Sequence, residues 1–300
     1  MHLRAARTAS GTRPWARWSW RGGSVAAVLA VVVLTWLVGD AVPAAVRTSP
    51  RPAAPRSVAL GPATARPAGN TVLVPSVPLT GTPFDGTPAV GALFTMTGGQ
   101  LGRHFCTASV IDSPARDLLI TAAHCVSSYA DTNPAGLAFV PGYVNGSAPY
   151  GIWTVTRIFA DSAWRAVRDP DHDVAFLAVA QPSGTTRIED VTGAERLGVG
   201  LPPAGVVRVI GYPMTLDQPI ACQNWVSAFG SSQLEFDCAD YTVGTSGGPL
   251  LAGVDAASGE GTVIGVIGGY ERGGDSPDVS YAAAFGPNVL ALYATAVSGR

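Results

Sequence analysis

From residue 88 onward the chain breaks its apolar residues into short runs of four to seven, each bounded by Gly, Pro, Asn or Asp, with a new run every 10 to 20 residues. Runs this short, closed by turn formers, read as strands rather than helices. The pattern predicts six strands at 90–96, 107–111, 118–121, 137–140, 153–158 and 174–179. It predicts six more at 206–211, 220–227, 233–237, 249–252, 262–267 and 280–285. A short helix at 287–297 closes the chain, opening on Pro287, whose fixed φ suits a first helical turn. Two sets of six strands imply an all-β fold built as two small six-stranded antiparallel barrels with a short C-terminal helix. The sequence has no internal repeat and no Cys/His spacing of a zinc site, so neither a metal nor a cofactor is expected.

The residues before 88 have a different texture. An uncharged apolar run of 15 residues, 24–38, follows Arg4, Arg7, Arg13, Arg17 and Arg21 and stops at Gly39 and Asp40. A membrane-spanning helix needs about 20 apolar residues, and the small residues at 41–45 could be cut. Residues 1–40 therefore read as an export signal or, if retained, as a membrane anchor through 24–38. Either way the positive flank stays inside and everything after residue 40 leaves the cytoplasm. Residues 41–87 are dominated by Pro, Ala, Thr, Ser and Arg, too poor in bulky apolar side chains for a core, and read as a linker or propeptide. Residues 88–300 are left as the folded domain.

Charge divides at the same place. All 19 basic residues are Arg; nine of them face a single acid in residues 1–66, whereas residues 67–300 carry ten Arg against twenty acids. An acidic folded part excludes nucleic acid as a partner. Export also makes Cys106, Cys125, Cys222 and Cys238 candidates for disulfides rather than reduced thiols.

Three histidines remain in the exported part: His104, His124 and His172. His124 lies in the segment TAAHC, 121–125, directly after an apolar strand that can hold an imidazole at a fixed place; a structural histidine in a turn is the plainer reading of that segment alone. The other two read as loop residues. Ser246 lies in GTSGGPL, 244–250, where three glycines permit a tight turn whose backbone N–H groups can bind a developing oxyanion. A glycine-rich β-turn has the same letters. Of the acids at 169, 171 and 173, Asp173 immediately precedes an apolar strand, so its carboxylate can be held out of water to orient an imidazole, with Asp171 as the alternative.

The order His124, Asp173, Ser246, within TAAHC, HDVAFL and GTSGGPL, resembles the chymotrypsin-like serine endopeptidases over residues 88–300. The resemblance implies a site between the two barrels, with Ser246 as nucleophile, His124 as base and Asp173 as its orienting acid. It implies an oxyanion hole made by the N–H groups of Gly244 and Ser246, and a polypeptide as substrate. It also implies a Cys106–Cys125 disulfide beside His124. Cys222 and Cys238 are then left for a hairpin bridge, although four cysteines allow three pairings and the other two stay open here.

Departures qualify the match. Thr245 stands where trypsin and its animal relatives carry the Asp that pairs with a newly cut amino terminus, and no Ile-Val-Gly-Gly terminus is present. The oxyanion loop is therefore expected to form without a buried ammonium group. Residues 209–213 and 141–143 look closer to the bacterial secreted branch that includes glutamyl endopeptidases, yet Ile267 stands where those enzymes place a pocket histidine, which disfavours glutamate preference. Asp240, six residues before Ser246, has the trypsin-like offset for an acid that pairs with Arg or Lys. Gly268 and Gly269 are expected to form the wall that pairs with substrate backbone. The expected protein is a monomeric, secreted or membrane-tethered serine endopeptidase; the rival is a catalytically silent protease-fold binding protein at the cell surface.

Overall fold

Residues 78–182 and 184–299 are described in the computed structural model. Residues 1–40, with the apolar run 24–38, and residues 41–77 of the 41–87 segment lie outside them. Among the described residues no helix is long and apolar enough to cross a membrane.

All twelve expected strands form. The first six are β2 (Val90–Thr97), β3 (Gln100–Ile111), β4 (Leu118–Thr121), β5 (Leu137–Pro141), β6 (Trp153–Ala160) and β7 (Ala175–Ala180), preceded by a short β1 (Thr82–Pro83). They close a barrel in the order β2-β3-β4-β7-β6-β5. The second set comprises β8 (Arg196–Leu197), β9 (Gly205–Gly211), β10 (Ile220–Phe229), β11 (Gln233–Asp237), β12 (Pro249–Ala252), β13 (Thr262–Val266) and β14 (Val279–Ala283). Its long strands run β14-β11-β10-β9-β12-β13, with β8 alongside β13 and β1 alongside β10. A bridge between Ile267 and Ala282 joins the two ends of that order. Short helices α1 (Ala123–Val126), α2 (Ser162–Val167) and α3 (Glu189–Thr192) occupy connections, and α4 (Pro287–Ser298) ends the domain.

Strands β4, β5 and β7 of the first barrel are apolar on both faces because both faces are covered. In β4, Leu119 points into the first barrel's core while Leu118 and Ile120 join a separate core with Ile210, Tyr212, Leu251 and Val266 from the second barrel. β7 divides in the same way, with Leu177 and Val179 inside and Phe176 in the shared core. The period-two geometry of a strand sends neighbours to opposite faces, so continuous runs are what an inter-barrel seam requires. Helix α4 adds Val289, Leu292 and Ala296 to this seam, and Tyr293 meets Phe176 at 5.6 Å.

Pairing begins earlier than residue 88. The Ala239 N–H donates to the Leu79 carbonyl at 2.7 Å, the Gly81 N–H donates to the Ala239 carbonyl at 2.9 Å, and Thr82 and Pro83 pair with Ala221 and Ile220. Gly81 permits this approach, since a Cβ there would lie 2.6 Å from Ile220 Cδ1. Residues 79–84 thus strap the chain that leads to the glycine-rich turn. A chain starting at residue 85 loses these bonds, each worth about 1 kcal/mol net. It should melt about 4–12 °C below one starting at residue 78; equal melting temperatures would show that the strap adds nothing.

Glu195 is a buried acid at the edge of the first barrel. Its backbone bonds to Val110 and Asp112, Oε2 accepts the Gly261 N–H at 2.5 Å, and Oε1 has no partner among the described residues. Burial raises its pKa to about 7, against the lowering effect of the Gly261 bond. The folded state therefore keeps a proton that the unfolded chain releases near pH 4.5, so stability falls as pH rises from about 4.5 to about 7, by about 3 kcal/mol. Glu195→Gln should flatten this slope in denaturant titrations between pH 4 and 8, and an unchanged slope would contradict the assignment.

Candidate active site

His124 is delivered by β4. The four residues of that strand are all buried, and the chain turns at Ala122 into the single turn of α1, which carries His124 at the seam. Asp173 follows the turn 170–172, whose start is capped by Asp169 accepting the Asp171 N–H at 3.1 Å. The Asp173 carboxylate is 1% exposed and accepts three hydrogen bonds: His124 Nδ1 at 2.7 Å, the His124 backbone N–H at 2.8 Å and the Gly269 N–H at 2.9 Å. A carboxylate only accepts, so Nδ1 carries the proton and Nε2 is left as the ring's acceptor. The ring of Trp164 lies 6.5 Å away and limits the space in which the imidazole can turn.

The other candidates are placed elsewhere. Asp171 accepts from Gln233 Nε2 at 2.6 Å and not from His124. His172 lies against Asp161 at 2.9 Å. His104 is a strand residue of β3 rather than a loop residue, buried against Phe94 and Tyr143, and that burial lowers its pKa.

Ser246 sits in a turn that only glycine can make. Gly244 has φ +106° and Gly247 has φ +81°; a Cβ at Gly247 would overlap the Thr107 carbonyl and Thr121 Oγ1. The turn is bound locally by Thr245 N–H to Thr242 O at 3.1 Å and Gly248 N–H to Thr245 O at 2.9 Å. It is tied to the first barrel by the Thr107 N–H, which donates to Ser246 O at 2.8 Å. The N–H groups of Gly244 and Ser246 donate to no acceptor among the described residues. Thr245 is buried, with its hydroxyl donating to Thr242 O at 2.9 Å.

His124, Gly244 and Ser246 line one cavity of about 640 Å³, together with Met214, Tyr241 and Ile267. A neighbouring cavity lies on the far side of His124, bounded by Trp164 and Arg168. Asp240 belongs to neither. Its φ is +74°, it is exposed, and its neighbour Ala239 is held by the strap. The acids on the cavity wall are Glu271 and Asp275. Gly269 and Gly268 use their N–H groups internally, on Asp173 and on the Tyr281 carbonyl, which leaves the Gly268 carbonyl as the group free for a substrate strand. Asp240 thus stands outside the lining of the cavity that holds Ser246, while Gly268 and Gly269 lie beside Asp173.

The cysteines pair as Cys106–Cys125 and Cys222–Cys238, with Cα atoms 6.3 Å and 6.6 Å apart. The first bridge locks α1 to β3 beside His124. Cys106, His124 and Cys125 come close enough to suggest metal ligands, but both sulfurs are consumed by the bridge and offer no thiolate. Thr107, whose hydroxyl bonds the serine turn, and Thr121, whose hydroxyl donates to the Thr107 carbonyl, were not singled out from the sequence; a polar residue inside a buried run is the signal that marks them.

The trypsin-like peptidase domain family matches residues 106–266, more than half of the chain. No curated protein matches. Among solved structures, protease Anisep from Arthrobacter nicotinovorans is 23% identical, with a TM-score of 0.62 over 73% of this chain and 100% of that one. A thermostable serine protease, AL20, from an extremophilic microorganism is also 23% identical, with a TM-score of 0.59 over 71% and 99%. A Glu endopeptidase is 16% identical, with a TM-score of 0.55 over 73% and 97%. At these identities the likeness is one of fold.

Proposed function

Because the chain belongs to the trypsin-like peptidase domain family, we propose that it is an exported serine endopeptidase in which His124, Asp173 and Ser246 act as one unit. The observation that carries the reading is the buried Asp173 carboxylate fixing His124 Nδ1 at 2.7 Å, with the ring and Ser246 lining one cavity.

In this mechanism His124 Nε2 takes the Ser246 Oγ proton as Oγ bonds to the scissile carbonyl carbon, and the carbonyl electrons move onto oxygen. The Gly244 and Ser246 N–H groups receive that oxyanion, and such donors each contribute about 10²- to 10³-fold in rate. Collapse expels the amine, which takes the proton from Nε2 and leaves an acyl-enzyme. Water repeats the cycle and frees Ser246. Throughout, Asp173 keeps the imidazole in one tautomer and offsets the charge it gains.

Two disulfides belong with an oxidising compartment, and the Arg-flanked apolar run at 24–38 is the matching export device. Asp240 is exposed and outside the cavity lining, so preference for Arg or Lys is decided by the choice of substrate peptide. Internally quenched peptides presenting Arg, Phe, Ala or Glu before the scissile bond test the proposal when products are mapped by mass spectrometry. Internal cleavage by the wild type, absent in Ser246→Ala, is the expected result; release of terminal residues alone, or equal cleavage by both proteins, would overturn it.

A further inference from the structure

Thr107 is a fully buried residue of β3, the position after Cys106, and all of its polar groups are engaged. Its carbonyl accepts from Thr121 Oγ1 at 2.7 Å and its N–H donates to the Ser246 carbonyl at 2.8 Å. Its hydroxyl accepts the Tyr212 N–H at 2.9 Å and donates to the Gly244 carbonyl at 3.0 Å. One side chain of the first barrel therefore joins the end of β9 to the serine turn of the second.

The bond to Gly244 acts at a residue whose backbone has the widest freedom in the turn. Gly244 carries φ +106°, and a residue without Cβ can rotate its flanking peptides at little steric penalty. Its two peptide planes are pinned from outside the turn: the Met214 N–H holds the Val243 carbonyl at 2.8 Å, and the Thr107 hydroxyl holds the Gly244 carbonyl. A trans peptide directs N–H and C=O to opposite sides, so pinning the Val243 carbonyl on Met214 leaves the Gly244 N–H on the other side. The Gly244 carbonyl shares its plane with the Thr245 N–H, which rests on Thr242 O at 3.1 Å, so the Thr107 hydroxyl fixes the other end of that plane; releasing it lets the plane tilt about Gly244 and displaces the Ser246 N–H that follows.

We propose that the Thr107 hydroxyl is the positioning group that sets the oxyanion-binding N–H groups, so that the turn is formed without a charged terminus. The inference rests on the serine endopeptidase reading and names what keeps that site competent. Thr245 is neutral and internally bonded, so the turn needs its fixed point elsewhere, and Thr107 supplies it from a rigid strand.

The test uses the full chain and compares wild type with Thr107→Val, which keeps size and branching but loses the hydroxyl, and Thr107→Ser, which keeps it. Misplacement of a reacting group by about 1 Å is worth about 10²-fold, so Thr107→Val should lower kcat about 10²-fold with KM within about threefold, and Thr107→Ser should restore it to within a few-fold. A peptide aldehyde, whose adduct places an oxyanion on Gly244 and Ser246, should bind Thr107→Val more weakly by the same factor as kcat/KM, while the matching peptide acid binds both equally. If Thr107→Val does not fold, Thr107→Cys, whose thiol is a far weaker donor and acceptor, is measured instead with the same expectations. Unchanged kcat and aldehyde binding with only a lower melting temperature would overturn the proposal. A wild type that cleaves no peptide would overturn the reading beneath it, and the inference with it.

Discussion

Ser246→Ala, His124→Ala and the double variant are each expected to lose about 10⁶-fold in kcat, with the double no worse than either single. The reason is that nucleophile and base perform one proton-coupled step. Without the imidazole, Ser246 keeps its proton; without the hydroxyl, His124 has nothing to activate. Residual rate comes from the groups that remain, the N–H donors of Gly244 and Ser246 and the binding cavity, about 10³- to 10⁴-fold above water. Steady-state kinetics on one quenched peptide, with circular dichroism to verify folding, decide the matter. Additive losses in the double variant would mean that the two residues act in separate steps.

Asp173→Asn should lower kcat about 10⁴-fold while leaving the fold intact, the size of effect associated with loss of the orienting carboxylate in triads of this kind. Asp173 offers two acceptor oxygens to three donors, His124 Nδ1, the His124 N–H and the Gly269 N–H. An asparagine has one acceptor oxygen and an amide that donates. If its oxygen remains on the His124 backbone N–H, its amide takes the place of Oδ2 and faces both the Gly269 N–H and Nδ1, which must then accept, and the proton moves to Nε2 where it meets Ser246. The imidazole becomes a donor at the place where a base is needed. Nitrogen-15 spectra of the imidazole should show the tautomer exchanged; a kcat within tenfold of wild type with the tautomer retained would show that Asp173 is structural.

The twelve long strands were legible because each is bounded by turn formers and because the seam between barrels makes both faces of strands such as β4 and β7 apolar. What the pattern missed has equally physical causes. β1 and β8 span two residues each, too short for any period to appear. The first half of β3 is mostly exposed, so its polar letters read as loop although the backbone pairs with β2. The single turn of α1 and the six residues of α2 fall below the length at which helical periodicity is visible.

The candidate site was legible to the extent that chemistry needs rare letters in order. His124 after a buried strand, Asp173 before one and Ser246 among glycines each have a local signature. Asp240 does not. Its placement rests on offset alone, and the strap at 79–81 that holds Ala239, the left-handed backbone at 240 and the exposure of that residue have no mark in the local sequence. Thr107 was illegible for the opposite reason, since its partners Tyr212 and Gly244 are 105 and 137 residues away and only the closed seam brings them together.

The most direct test of the central claim is labelling of the purified full chain with a fluorophosphonate, which phosphonylates a serine hydroxyl only when a neighbouring base activates it. The account predicts stoichiometric label on the Ser246 peptide of the wild type, none on Ser246→Ala and strongly slowed labelling of His124→Ala. A folded, disulfide-intact wild type that takes no label, or takes it on another residue, would contradict it.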